Sequence, residues 1–98
     1  MLTIYEIRDR IFPICRKYGI KRAYLFGSQA RGEATENSDY DIRIEKGKLK
    51  GLFALSGLRL DLVDVLGRDV DLLSSLPNYP EVRKAILHDE VLIYDDKQ

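Results

Sequence analysis

Cysteine and histidine each occur once in this chain, and the formal charges cancel. No apolar run approaches the ~20 residues needed to cross a bilayer. The lone thiol, Cys15, excludes an internal disulfide and fits a reducing compartment. Its place among apolar helix positions makes it an inert core thiol. The lone imidazole, His88, lies late in a short helical stretch beside Asp89 and Glu90 and reads as surface structure rather than a catalytic base. Sixteen basic residues balance sixteen acidic ones. Long-range attraction to a polynucleotide is therefore not favoured, and no direct nucleic-acid binding is expected. Repeats, low-complexity tracts and linkers are missing too. Ninety-eight residues suffice for one core, so 1–98 is read as a single domain. Glu6, Arg8, Asp9 and Arg10 break up the apolar residues near the N-terminus. A cytoplasmic protein without membrane attachment is the expectation.

What the chain does have is concentrated in one stretch. Ala23-Tyr24-Leu25-Phe26 is an unbroken apolar run suited to a buried strand, and it stops at Gly27, where a missing side chain lets a ligand approach the backbone. Ser28 suits the N-cap of a short helical turn, whose free N–H groups and positive end form an anion site. After ten further residues come Asp39 and Asp41. On a strand these two emerge on the same side, roughly 6.5 Å apart. Carboxylates at that spacing can share hard divalent cations, and Mg²⁺ commonly takes one or two carboxylates plus substrate phosphates. Phosphates at the end of one strand and carboxylates on the next make a nucleoside triphosphate the natural ligand. Arg31 suits a phosphate or an aspartate equally, and reads just as well as a solvated loop cation.

The surrounding pattern alternates helix and strand. Thr3 and Glu6 form a capping box ahead of Ile4, Ile7, Ile11, Ile14 and Tyr18, and Gly19 ends that helix. Pro13 predicts a kink, or a break one turn earlier. A strand over about 21–26 precedes the Gly-Ser turn, and a second over 39–45 places Tyr40, Ile42 and Ile44 on one face. Asp39, Asp41, Arg43 and Glu45 lie on the other. Arg43 has two readings, a cation that neutralises Asp41 or one that contacts substrate. Residues 46–50 read as a solvated basic loop. Leu52, Leu55, Leu58 or Leu60, Leu62, Val65 and Leu66 trace a wide helical stripe that stops at Gly67. That helix makes a crossover between strands free to run parallel. A third strand, 69–73, carries Asp69 and Asp71 on one face, so its geometry leaves open which of them faces the cations. Pro80 opens a last helix, and 91–94 form a last strand.

Residues 27–45, GSQARGEATENSDYDIRIE, together with 51–73, resemble the nucleotidyltransferase superfamily that includes DNA polymerase β, and specifically its minimal nucleotidyltransferase branch. The resemblance implies an α/β (α+β) nucleotidyltransferase fold, a mixed sheet with helices packed against it. It assigns the third carboxylate to Asp71, leaving Asp69 as the strand's solvated entrance. It further implies two Mg²⁺ ions on Asp39, Asp41 and Asp71, and ATP held through Gly27, Ser28 and Arg31. Minimal nucleotidyltransferases similar to this one are antitoxins that transfer AMP from ATP to a tyrosine hydroxyl of a HEPN-domain ribonuclease toxin. Larger members carry a helical domain that closes over the substrate, and here a partner is expected to supply that wall. Two rival readings are a nucleotidyltransferase acting on a small hydroxylated molecule with a separate helical subunit, and a non-catalytic antitoxin acting by occlusion.

Overall fold

The computed structural model describes residues 2–97. Helix α1 (Ile4–Tyr18) leads to strand β1 (Arg22–Phe26), the short helix α2 (Gly27–Arg31) and strand β2 (Tyr40–Glu45). Helix α3 (Leu52–Leu66), strand β3 (Val70–Leu73), helix α4 (Pro80–Asp89) and strand β4 (Val91–Asp95) follow. The four strands form one mixed sheet in the order β3-β2-β1-β4. Strand β1 is antiparallel to both neighbours, whereas β2 and β3 run parallel across the α3 crossover. The α/β expectation and the parallel pair are therefore observed.

Alternation sorts the sheet into two faces. Ala23 and Leu25 of β1, with Tyr40, Ile42 and Ile44 of β2, are buried in one core with Ile7 and Ile11 of α1 and Leu58 and Leu62 of α3. The opposite residues, Tyr24 and Phe26 on β1 and Asp41 on β2, are half-buried. Cross-chain bonds fix the helices to this core. Tyr18 Oη and Lys17 Nζ donate to Asp61 Oδ2 at 2.8 and 3.1 Å, tying α1 to α3, and Arg8 Nη2 donates to the Leu92 carbonyl at 2.9 Å. No helix among the described residues is long and apolar enough to cross a membrane.

Both ends of α1 follow their sequence signals. Thr3 Oγ1 accepts from the Glu6 N–H at 3.1 Å while Glu6 Oε1 accepts from the Thr3 N–H at 3.0 Å, and Gly19 closes the helix in the left-handed region at φ 66°. The break anticipated at Pro13 does not occur. Pro13 lies on the exposed side of a continuous helix, where water can serve the Asp9 carbonyl that lost its donor. The stripe of α3 is observed through Leu55, Leu58, Leu62, Val65 and Leu66, which settles Leu58 over Leu60 and leaves out Leu52. Leu58, Leu62 and Leu66, spaced by four, are buried, while Leu52 and Leu60 are 81% and 61% exposed. The 46–50 loop is only partly solvated, because Leu49 is buried and the Lys48 N–H donates to the Gly19 carbonyl at 2.9 Å.

Candidate active site

The site is assembled where β1 ends and the parallel pair begins. Phe26, the last residue of β1, pairs with Asp41, and Asp41 in turn pairs with Asp71 on β3. Paired residues on adjacent strands project to the same face, so the Asp41 and Asp71 carboxylates share one side of the sheet with the Gly27 turn at its end. Asp39, two residues ahead of Asp41, stands exposed at the entrance to β2.

Gly27 is required by this packing. Its φ of +70° turns the chain off β1 in a single residue, and a Cβ built on it would overlap Asp41 Oδ2 and stand 3.1 Å from Asp41 Cγ. The missing side chain is thus the space into which the Asp41 carboxylate leans. Because the turn is completed at Gly27, α2 starts two residues earlier than expected. The N-cap position falls on Phe26 and makes no side-chain cap, while Ser28, expected there, lies inside the first turn.

Electrostatics mark Asp41 as the strained member. Partial burial, then the nearby Asp71 and Asp39 carboxylates, push its pKa above the ordinary carboxylate value, and Arg31 opposes the shift. Like charges gathered without a counter-charge on the strands themselves are a donor set suited to a divalent cation. Among the described residues no group of three or more Asp, Glu, His or Cys side chains is disposed to hold a metal ion, so Asp39, Asp41 and Asp71 are not gathered as a three-ligand site. An open set of carboxylates suits an ion that draws its other ligands from phosphate oxygens and water. A groove of about 480 Å³ lined by Gln29, Ser38, Tyr40 and Arg68 among others runs beside the site, but none of the three aspartates lines it.

The other charged residues sort themselves plainly. Asp69 is exposed ahead of β3 and occupied by the Arg59 guanidinium and the Val70 N–H, so Asp71 alone stands opposite Asp41. Arg43 does not neutralise Asp41. Its Nε and Nη2 donate to Glu90 Oε2 and Oε1, both at 2.9 Å, and its guanidinium lies 4.3 Å from the centroid of the Tyr24 ring. Arg31 donates through Nε to Glu33 Oε1 at 2.5 Å and through Nη1 to Asp89 Oδ2 at 3.2 Å. The Asp89 and Glu90 partnerships were not read from the sequence. The available signal was two acidic residues at the C-terminal end of a helix, where the dipole disfavours them unless cations stand by. His88 is exposed, as expected, and Cys15 is buried, with desolvation pushing its thiol up to about 12.

Residues 9–98 match the family model described as polymerase beta, nucleotidyltransferase. The chain belongs to this nucleotidyltransferase family. A relative from Methanocaldococcus jannaschii, named provisionally as a protein adenylyltransferase, is 43% identical over 90 residues, which span 92% of this chain and 97% of the relative. Two solved structures share the nucleotidyltransferase fold. One is a toxin–antitoxin with AMP-PNP, at a TM-score of 0.72 and 24% identity over 93% of this chain and 75% of that one. The other is a tri-AMPylated Shewanella oneidensis HEPN toxin in complex with its MNT antitoxin, at a TM-score of 0.67 and 20% identity over 98% and 76% of the two chains. The nucleotidyltransferase described here thus carries Asp41 and Asp71 side by side at the end of the strand that delivers Gly27 and Ser28.

Proposed function

We propose that this nucleotidyltransferase is an antitoxin that transfers AMP from ATP to a tyrosine hydroxyl of a HEPN ribonuclease toxin, once or several times. The observation that carries the reading is the pairing of Asp41 with Asp71 beside the Gly27 turn, with Asp39 two residues away. Gly27 and Ser28 receive the β- and γ-phosphates along the backbone of the turn, and Arg31 at the end of α2 adds a guanidinium to that side. Asp39 and Asp41 face the triphosphate and Asp71, exposed on the edge strand, faces the acceptor. Two Mg²⁺ ions, when bound to these carboxylates, would offset the triphosphate charge and make the acceptor oxygen a stronger nucleophile. The tyrosine oxygen attacks the α-phosphorus, the bond from that phosphorus to the β-phosphate bridging oxygen breaks, and pyrophosphate leaves. Asp71 takes the phenolic proton.

Three features support a protein acceptor. Asp39 and Asp71 are exposed, so a large partner can reach them. The formal charge is zero, which gives a polynucleotide no long-range attraction. The relative with 43% identity bears the name of a protein adenylyltransferase, and the fold is shared with the antitoxin bound to an AMPylated HEPN toxin. Incubation of the chain with ATP, Mg²⁺ and a HEPN toxin that binds it is expected to raise the toxin mass in AMP-sized steps. An unchanged mass in a confirmed complex would overturn the proposal, and transfer to a small hydroxylated acceptor without any toxin would replace it.

A further inference from the structure

Helix α4 ends against its own dipole. Asp89 is its last residue and Glu90 its cap, two carboxylates where the helix carbonyls already concentrate negative charge. Each is answered by an arginine from elsewhere in the fold. Glu90 takes Arg43 of β2 in a two-pronged pair whose side chains are only 10% and 12% exposed, a tie that closes the sheet face. Asp89 takes Arg31 of α2, the turn that begins at Gly27, and there the side chains are 43% and 22% exposed. Only this second pair reaches the candidate active site, because Arg31 is the cation whose field acts on Asp41.

The way Arg31 is held leaves a specific part of it available. Glu33 engages Nε and Asp89 engages Nη1, so the two anchors grip opposite ends of the planar fork. Among the described residues Nη2 has no hydrogen-bond partner, which leaves both of its N–H donors for a ligand. Hydrogen bonds from His88 and then Arg31 keep the Asp89 carboxyl below its ordinary pKa, so the anchor is charged at neutral pH. Glu33 lies two residues beyond Arg31, just past the Gly32 cap of α2, and is itself exposed. Asp89 belongs to a helix packed on α2, and it is the anchor that ties Arg31 to the body of the protein.

We propose that Asp89 is a positioning residue for nucleotide binding, holding the Arg31 guanidinium at the rim of the site with Nη2 presented to the triphosphate oxygens. The inference rests on the nucleotidyl-transfer reading and adds to it a residue from a separate helix. An arginine fixed before the ligand arrives loses less freedom on binding than one drawn from solvent. Because the contact is made to the bound nucleotide before and during transfer alike, its loss should appear in KM rather than in kcat.

The test measures the Kd of AMP-PNP with Mg²⁺, and KM and kcat for toxin adenylylation, in the full chain and five variants. Asp89→Asn is expected to raise Kd and KM roughly 5–10-fold, with kcat within about 2-fold. Asp89→Glu, which keeps the charge, should recover most of that loss. In an Arg31→Ala background Asp89→Asn should have no further effect. Asp61→Asn removes a remote carboxylate that bonds Lys17 and Tyr18, and should lower Tm while leaving Kd unchanged. The proposal is overturned if Asp89→Asn binds as the parent does, if its effect adds in full to that of Arg31→Ala, or if Asp61→Asn weakens binding equally. A parent chain that binds no AMP-PNP at all overturns the functional reading together with it.

Discussion

At Asp41 a carboxylate is partly withdrawn from water and faces two others, so the fold holds it in a form it does not prefer. The sign of the pH dependence follows. A carboxyl whose folded pKa lies above its unfolded value contributes most to stability below the usual carboxylate range, and that contribution is lost as pH rises through the folded value. Asp41→Asn should therefore raise Tm at pH 7 without divalent cations by roughly 2–5 °C, as removing strain at a functional site often does. The gain over the parent should shrink towards zero near pH 4 and diminish when Mg²⁺ is added. Thermal melts across pH, with EDTA and with Mg²⁺, check it, and the variant should fail to transfer AMP. The turn at Gly27 and the strand position of Asp41 were legible at this scale because the end of an apolar run and spacing along a strand are local signals, whereas the N-cap expected at Ser28 fell on Phe26. Whether Asp69 or Asp71 stood opposite Asp41 was not legible from spacing, since both alternate to one face. The distinction came from the parallel register of β2 and β3, which sets Asp71 against Asp41, while Arg59 occupies Asp69.

At the scale of elements, β2 carries the two charged residues that the sequence could not separate. Asp41 and Arg43 share a face two positions apart, and strand periodicity offers no reason to keep them from pairing. The reason is supplied by the junction of α4 and β4, where Glu90 takes the guanidinium and Tyr24 lies beneath it. That pair is largely excluded from water, so breaking it on one side should be costly. Glu90→Ala is expected to destabilise the protein by about 3 kcal/mol, read from the urea midpoint. The double change Arg43→Met with Glu90→Leu should cost much less, because no unpaired charge is left behind. Such long-range partnerships escape a reading by segments, as does the placement of β4 beside β1 rather than β3. The helix ends, by contrast, were visible in Thr3, Gly19, Gly67 and Pro80, each of which acts on its immediate neighbours. The break read from Pro13 did not form, for the complementary reason. The cost of a missing N–H depends on what faces the orphaned carbonyl, and that is set by the fold.

For the molecule as a whole, ligand binding and stability are one equilibrium. A chain that binds Mg²⁺ and ATP only when folded should gain about 2.7 kcal/mol at a ligand concentration one hundred times Kd. A Tm increase of roughly 10 °C is expected from that gain in a protein of this size. Scanning calorimetry with ATP, first with Mg²⁺ and then with EDTA, measures it, and the increase should vanish when the chelator is present. Much of the outer surface of α3 remains apolar, with Phe53 95% and Leu52 81% exposed, although its other face is fully committed to the core. The sealed state of Cys15 has a practical use in following these events. A sulfur on the buried side of α1 and held as a thiol will not compete for maleimide reagents, so a cysteine introduced at the exposed Ser56 would take up a fluorophore selectively in an otherwise native background. Assembly with another chain could then be watched by emission in real time.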